Sequence, residues 1–389
     1  MICRLARRHG YSIARQAAVR TAIALALVAS SLGCARQASV ETGPRPTPIP
    51  RARVALAPAT PGSTWERIAT PETAGYSSAR LADLHRYVGG LNTTAVLAAV
   101  GGRVLFEHGP LDSLSYLASV RKSILAMLYG NYVEDGTIDL ERTLEDLGMD
   151  DVGGLLPIER GATVYDLITA RSGIYHPASN PGDNTADAPE RGSQRPGEYF
   201  LYNNWDFNAA GAAFELLTGR EIYDALQTDL AVPLQFEDFD RDRQQKSGDT
   251  DRSRNLAYHM WLSTRDMARI GLLMLRDGTW GGEHVIPRDW ARRIHSLVTP
   301  LSEMNPARMR DEDHGYGYMW WVWDGPAATG AFEGAYTGMG AYGQYITVLP
   351  ALDMVVAHKT AIPPEVHTGW DDYEGILTRL AEARCGDSC

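Results

Sequence analysis

Ser119 and Lys122 stand three residues apart in "LASVRKSILAMLYG", Leu117 to Gly130. On a helix that spacing puts both side chains on one face, one turn apart. A serine hydroxyl is a weak nucleophile until a neighbouring base takes its proton. Lysine can be that base only where burial or nearby positive charge favours the neutral amine. Arginine cannot, because it stays protonated. Of the 37 basic residues only Lys122, Lys246 and Lys359 are lysine. A chain that prefers arginine has therefore placed lysine where a removable proton would be needed. The competing reading is a surface lysine on an amphipathic helix, since Val120, Ile124, Met127 and Leu128 supply a core face without it. Arg121, between the two, has no evident part.

The surrounding chain is long enough to bury a large catalytic core: 389 residues, 44% hydrophobic and 22% charged. Its net charge of −11 argues against a nucleic-acid partner, which wants a basic face. The N-terminus reads as a targeting segment over residues 1–33. Arg4, Arg7, Arg8, Arg15 and Arg20 form a basic region ahead of the short apolar run "TAIALALVASSLG". Losing those five arginines would take the net charge to −16. Two cleavage readings stand side by side. Gly33-Cys34 resembles a bacterial lipoprotein site, with Cys34 lipidated and the protein attached to a membrane. Ordinary signal cleavage nearby is the alternative. Either way the chain is expected to be exported, as a periplasmic or membrane-anchored protein of a bacterial envelope. Residues 34–63 are a Pro/Ala-rich tether, expected to be extended and mobile. Cys385 and Cys389 in "CGDSC" could close a local disulfide in an oxidising compartment, or remain two thiols on a tail.

The elements that must position Ser119 follow from periodicity. "SSARLADLHRYVGGL" predicts a helix capped by Ser77 or Ser78. Two β-prone runs around Gly101-Gly102 predict a hairpin. The Ser119 helix should end near Gly136. In "STRDMARIGLLMLRDG", Met267, Ile270, Leu273 and Met274 share one face of an amphipathic helix that Gly278 stops. Three late β runs follow, "YGYMWWVW", "AYGQYITVL" and "DMVVAHKT", then a closing helix, "YEGILTRLAEAR". Two early strands and three late ones most simply form one antiparallel sheet. The helical middle is then an insertion, with the sheet part at about 64–115 and 310–384 and the helical part at about 116–309.

A set of segments in order resembles the serine β-lactamase and penicillin-binding-protein superfamily, in its class C-like branch with family VIII esterases and 6-aminohexanoate-dimer hydrolases. They are "GGRVLFEHG", "SVRKSIL", "YVEDGTIDL", "VYDLITARSGI", "PGEYFLYNN", "LSTRDMARIGLLML", "YGYMWWV" and "GAYGQYITVLPALDMVV". The resemblance spans about Trp65 to Arg384. It implies an α+β fold of the β-lactamase/transpeptidase type, a central antiparallel sheet flanked by helices with a mostly helical inserted subdomain. It implies Ser119 as nucleophile and Lys122 as base. It also places the family's Y-x-N motif at Tyr202-Asn203-Asn204, with Tyr202 shuttling protons and Asn204 bonding Lys122 or the substrate carbonyl. A packed aromatic is the bland reading of Tyr202. The backbone N–H groups of Ser119 and Ala341 would form the oxyanion hole.

The third family motif is where the chain departs. K-T-G is replaced by Gly338-Met339-Gly340, without the cation and hydroxyl that bind a substrate carboxylate, though the resemblance still implies that these three residues line the substrate. "GMGAYG" also satisfies G-x-G-x-x-G, but a β run follows where a dinucleotide site needs a helix. Tyr175 and His176 are candidates for the cleft rim, and His259 for a substrate contact. Trp320, Trp321 and Trp323 read as core and cleft wall. No metal or cofactor is implied, and no G-x-S-x-G elbow competes for the nucleophile. The expected activity is hydrolysis of a small-molecule ester or amide through an acyl-enzyme. The alternatives are a D-Ala-D-Ala carboxypeptidase or weak β-lactamase, with Arg121 or another cation standing in for the lost one, and a non-catalytic envelope protein that binds ligands on the same fold.

Overall fold

The computed structural model describes residues 56–180, 182, 184–360, 366–385 and 389. The chain divides into two units, Met1–Pro50 and Arg51–Cys389. The first unit lies outside the described residues, and with it the signal segment, Cys34 and most of the tether.

The second unit is built on one seven-stranded sheet. Its strands are β1 (Ala95–Val100), β2 (Arg103–His108), β3 (His314–Tyr316), β4 (Trp321–Trp323), β5 (Tyr336–Gly340), β6 (Gln344–Leu349) and β7 (Met354–Lys359). They lie in the order β2-β1-β7-β6-β5-β4-β3, and every neighbouring pair is antiparallel. The early hairpin thus joins the late strands, as the element order predicts. The late strands number five rather than three. "YGYMWWVW" is broken between β3 and β4 by a turn in which the Gly317 N–H donates to Trp320 O at 2.9 Å and Met319 takes φ +58°. "YTGMG" forms β5 despite its glycines, which carry no strand signal of their own.

Five longer helices surround the sheet: α1 (Ser78–Gly89), α2 (Val120–Glu134), α3 (Asn204–Thr218), α4 (Thr264–Leu275) and α5 (Trp370–Glu382). Side chains alternate across a strand, and here the alternation divides two cores. Leu97 and Ala99 of β1, with Val355 and Ala357 of β7, face the core that holds α2, α3 and α4. Val96, Ala98, Val100, Met354 and Val356 face the core under α1 and α5. α4 lies directly on the sheet at Gly271, where a Cβ would come within 3.1 Å of Ile346 Cγ2. Ser77 caps α1 by accepting from the Arg80 N–H, and Ser263 caps α4 by accepting from the Asp266 N–H.

The end of the tether is not free. The Ala59 N–H donates to Gly101 O at 2.9 Å, and Arg103 Nη1 donates to Ala57 O at 2.8 Å. Gly102 permits this close approach, since its Cβ would lie 1.9 Å from Ala59 O. At the other terminus Cys385 and Cys389 are joined by a disulfide.

Within this frame α2 is hydrophobic on nearly all sides, and every residue from Val120 to Gly130 is buried. That stretch includes Arg121 and Lys122. Burying an ammonium or guanidinium costs several kcal/mol in round numbers, about what burying two or three core side chains returns. The partners that receive these two groups therefore decide what the helix is for.

Candidate active site

The approach to Ser119 is a braced turn. Ser115–Tyr116 pairs antiparallel with Trp261–Leu262, and the Leu117 N–H donates to Met260 O at 2.9 Å. Lys359, the last residue of β7, reaches this pair from the main sheet. Its Nζ donates to Ser115 O at 3.2 Å and also to Leu262 O. Ala118 then takes φ +48°, a left-handed conformation that is strained for alanine. Ser119 follows at φ −77° and ψ −8°, at the head of α2. A serine there ordinarily spends its hydroxyl on capping the helix. Ser119 makes no such side-chain bond, so its Oγ is left for other chemistry.

Lys122 lies one turn on and is only 1% exposed, which removes the surface-lysine reading. Its Nζ lies 3.1 Å from Ser119 Oγ, 2.6 Å from Tyr202 Oη and 2.7 Å from Asn204 Oδ1. The same nitrogen sits 4.2 Å from the centre of the Tyr202 ring and 4.3 Å from that of Phe207. Tyr202 and Asn204 flank Asn203, whose side chain caps α3 by accepting from the Asp206 N–H at 2.9 Å. The cap fixes where α3 starts and so where Asn204 points. Trp205, the next residue, is anchored through its Nε1 to Asp151 Oδ2 at 2.6 Å. The Tyr202 ring is held among Phe207, Tyr316 and Trp321, 4.8–6.0 Å between ring centres. A hydroxyl and a phenol that both lie within hydrogen-bond reach of one amine form a path along which a proton can pass in either direction.

β5 closes the other side. A Cβ on Gly340 would lie 2.5 Å from Leu117 O and 3.2 Å from Ser119 N, so the end of β5 runs against the backbone of the Ser119 turn. Ala341 follows at an exposed turn position. Gly338 faces the same way, and a Cβ there would meet Ser123 Oγ at 3.0 Å with Trp320 at 3.6 Å. That space is already filled, so a long cation does not fit in the same direction. Met339 departs from the expected substrate contact. Its side chain turns to the opposite face of the sheet and packs on the core under α1 and α5, as alternation along a strand requires.

The other candidates divide. His259 Nδ1 lies 2.9 Å from Tyr116 Oη, beside the Ser119 turn. Burial, and then the charge of Arg121, hold its imidazole down at about 4, so it is neutral at physiological pH. Tyr175 is half-buried, with its hydroxyl unpartnered among the described residues; burial, and then nearby Asp206, raise the pKa of that hydroxyl. His176 does not rim the cleft. It is buried, with Nε2 against Val152 O at 2.7 Å and Nδ1 against Pro177 O at 3.0 Å. Of the tryptophans, Trp321 is half-buried against Tyr202, Trp320 is core, and Trp323 packs with Phe332 and Trp370 in the second core. Arg121 turns into the interior. It is 2% exposed, donates from Nη2 to Asn208 Oδ1 at 3.1 Å, and stacks 4.4 Å from the centre of the Tyr258 ring. It does not stand in for the missing cation of β5.

Sequence reasoning missed Phe207, Asp151, Asn208 and Lys359. Phe207 was within reach, three residues after Asn204 on the same helix face. Asp151 and Lys359 act across 54 and 97 or more residues of chain, and no local pattern marks them.

A serine, a lysine and a tyrosine so placed have the nucleophile and the proton-transfer groups that acyl-transfer hydrolases need. The family model described as Beta-lactamase matches residues 84–373, and the chain belongs to that family of serine hydrolases. It is 26% identical over 364 residues to the 6-aminohexanoate-dimer hydrolase of Paenarthrobacter ureafaciens, covering 84% of this chain and 86% of that one. Its fold matches a penicillin binding protein from Bacillus halodurans with a TM-score of 0.55 at 16% identity, over 76% of this chain and 99% of the other. It also matches EstCE1, a hydrolase with promiscuous acyltransferase activity, with a TM-score of 0.56 at 16% identity, over 79% and 98% of the two chains.

Proposed function

We propose that the protein is an exported hydrolase that cleaves a neutral ester or linear amide through an acyl-enzyme on Ser119. The observation that carries this is the placement of Lys122 Nζ within hydrogen-bond reach of Ser119 Oγ, Tyr202 Oη and Asn204 Oδ1. Ser119 Oγ attacks the carbonyl carbon as its proton passes to the Lys122–Tyr202 pair. The carbonyl oxygen becomes an oxyanion received by the N–H groups of Ser119 and Ala341. The tetrahedral adduct collapses, the C–O or C–N bond breaks, and the leaving group departs with that proton. Water then attacks the acyl carbon, giving a proton to Tyr202, and the acid leaves as that proton passes on to Ser119 Oγ.

The substrate class rests on β5. Gly338 supplies no charge, Arg121 is buried elsewhere, and His259 is neutral. A substrate that relies on a carboxylate at this position would find no counter-charge in these three, which favours neutral acyl groups over β-lactams and D-Ala-D-Ala peptides. The name of the curated relative is compatible with a linear amide. Export is supported by the arginine-rich N-terminus with its apolar run, and by the Cys385–Cys389 disulfide, which suits an oxidising compartment. Cys34 is the proposed point of membrane attachment. The test is covalent labelling with a fluorophosphonate probe read by intact mass. Wild type should gain one adduct and Ser119→Ala none; an adduct that survives Ser119→Ala removes the assignment.

A further inference from the structure

Arg121 and Lys122 are consecutive cations on one buried helix, and both are received by amides of α3. Asn204 Oδ1 takes Lys122, and Asn208 Oδ1, one turn further along α3, takes Arg121. Neither amide carries charge. Arg121 Nη1 is buried and, among the described residues, makes no well-formed hydrogen bond, its neighbours being the neutral phenols of Tyr116 and Tyr258. A guanidinium buried in this way is normally paired with a carboxylate.

Among the described residues, no carboxylate forms an ion pair with it. The acid of α2 is Glu134, at the far end of the helix. α3 carries Asp206 and Glu215. Burial pushes the Asp206 carboxyl well above the ordinary carboxyl range, and its Oδ1 accepts from Ser172 Oγ rather than from Arg121; Glu215 is held by Lys246. Asp151, against the start of α3, stays ionised in spite of its burial, through bonds from Ser253, the Arg254 N–H and Trp205. Around the guanidinium stand Tyr116, Tyr223, Tyr258 and His259, with Tyr202 and Tyr316 beyond Tyr258. The positive field reaches several elements: it opposes the burial that raises Tyr116, Tyr223 and Tyr258, and adds to the burial that lowers His259.

We infer that Arg121 is a positioning residue of the electrostatic kind: its unneutralised charge keeps Lys122 able to give up its proton and so act as base toward Ser119. This rests on the acyl-enzyme reading above. The sign follows directly. A fixed positive charge near an ammonium disfavours the protonated form, so removing it makes the amine hold its proton to higher pH.

The experiment is the pH dependence of kcat/KM for p-nitrophenyl butyrate, with Ser119 acylation followed by intact mass. Arg121→Met should move the acidic limb up by about one pH unit, with activity about tenfold down on that limb and recovered above it. Asn208→Asp gives Arg121 a counter-charge without touching Lys122 and should shift the limb the same way. Arg121→Lys keeps the charge and should leave the limb in place. A limb unmoved in Arg121→Met and Asn208→Asp, while wild type acylates, overturns the inference and leaves the acyl-enzyme reading intact. If Arg121→Met does not fold, Asn208→Asp decides alone. Absence of any wild-type adduct across the pH range removes both.

Discussion

Two lysines of this protein are equally buried and do different things. Lys122 is 1% exposed and Lys359 is 2% exposed. Both hold their amines against oxygen atoms, but the oxygens differ. Lys122 faces a hydroxyl, a phenol and an amide, and two of those can themselves give or take a proton. Lys359 faces the backbone carbonyls of Ser115 and Leu262, which can only accept. The third lysine, Lys246, is more exposed and forms an ordinary ion pair with Glu215. A buried amine is thus suited to proton transfer by what its acceptors can do in return, not by burial alone. Lys359 contributes at one remove, by holding the strand that delivers Ser119.

The sharpest way to break this contrast is Lys122→Arg. The variant keeps a cation of similar length but cannot release a proton. Acyl transfer should fall by about 10²–10⁴-fold, with the melting temperature changed far less than the rate. Burst kinetics with p-nitrophenyl esters measure it. Retention of even a tenth of the activity would mean that Lys122 acts as a fixed charge, and the two lysines would no longer differ in kind.

Between the two lysines lies the placement of the Ser119 backbone. Gly340→Ala tests it from the other side of the cleft. The new methyl would start 2.5 Å from Leu117 O and 3.2 Å from Ser119 N, so the turn must shift. A displacement of that size costs about 100-fold in rate. The loss should appear in kcat rather than KM, since the neutral substrate gains little binding from β5. A change confined to KM would place the triplet in substrate binding instead of nucleophile placement.

The grouping of Ser119, Lys122 and Tyr202 was more legible than its supports. Ser119, Lys122 and Tyr202 meet as their motifs imply, because i and i+3 on a helix and a short Y-x-N segment before one are local patterns. The antiparallel sheet followed from the order of strands and helices. Gly338-Met339-Gly340 was found at the right place but misread at Met339, since pleating sends alternate residues to opposite faces and a three-letter motif hides that. His176, placed at the cleft rim because it follows the "RSGI" segment, is instead buried, with its ring nitrogens against the carbonyls of Val152 and Pro177. Arg121 could not be understood without Asn208 and Tyr258, 87 and 137 residues away in sequence. Lys359 belongs with it. Its partners lie on two strands that meet only in the folded molecule.

The smallest effect on activity, and the clearest in stability, is expected from Lys359→Met. The carbonyls of Ser115 and Leu262 lose a donor, a cost of about 1–3 kcal/mol, while acyl transfer should fall less than about tenfold. The pH dependence separates this from a generic core change. Burial, opposed by the charge of Asp266, lowers Lys359 from its ordinary 10.5 to about 7 in the folded protein. Below pH 7 both folded and unfolded chains hold the proton, so the contribution is flat and the folded state bears the full cost of a buried ammonium. Between about pH 7 and 10.5 the unfolded chain still holds a proton that the folded chain has released. Unfolding then takes up that proton, and stability rises with pH at up to ~1.4 kcal/mol per unit. Lys359→Met has no such group, so urea unfolding at pH 6.5, 8 and 9.5 should show wild type gaining on the variant as pH rises. Parallel curves would mean that Lys359 keeps its proton throughout and braces the strand as a permanent cation. A rate loss matching that of Lys122→Arg would place Lys359 in the chemistry itself and erase the distinction between the two.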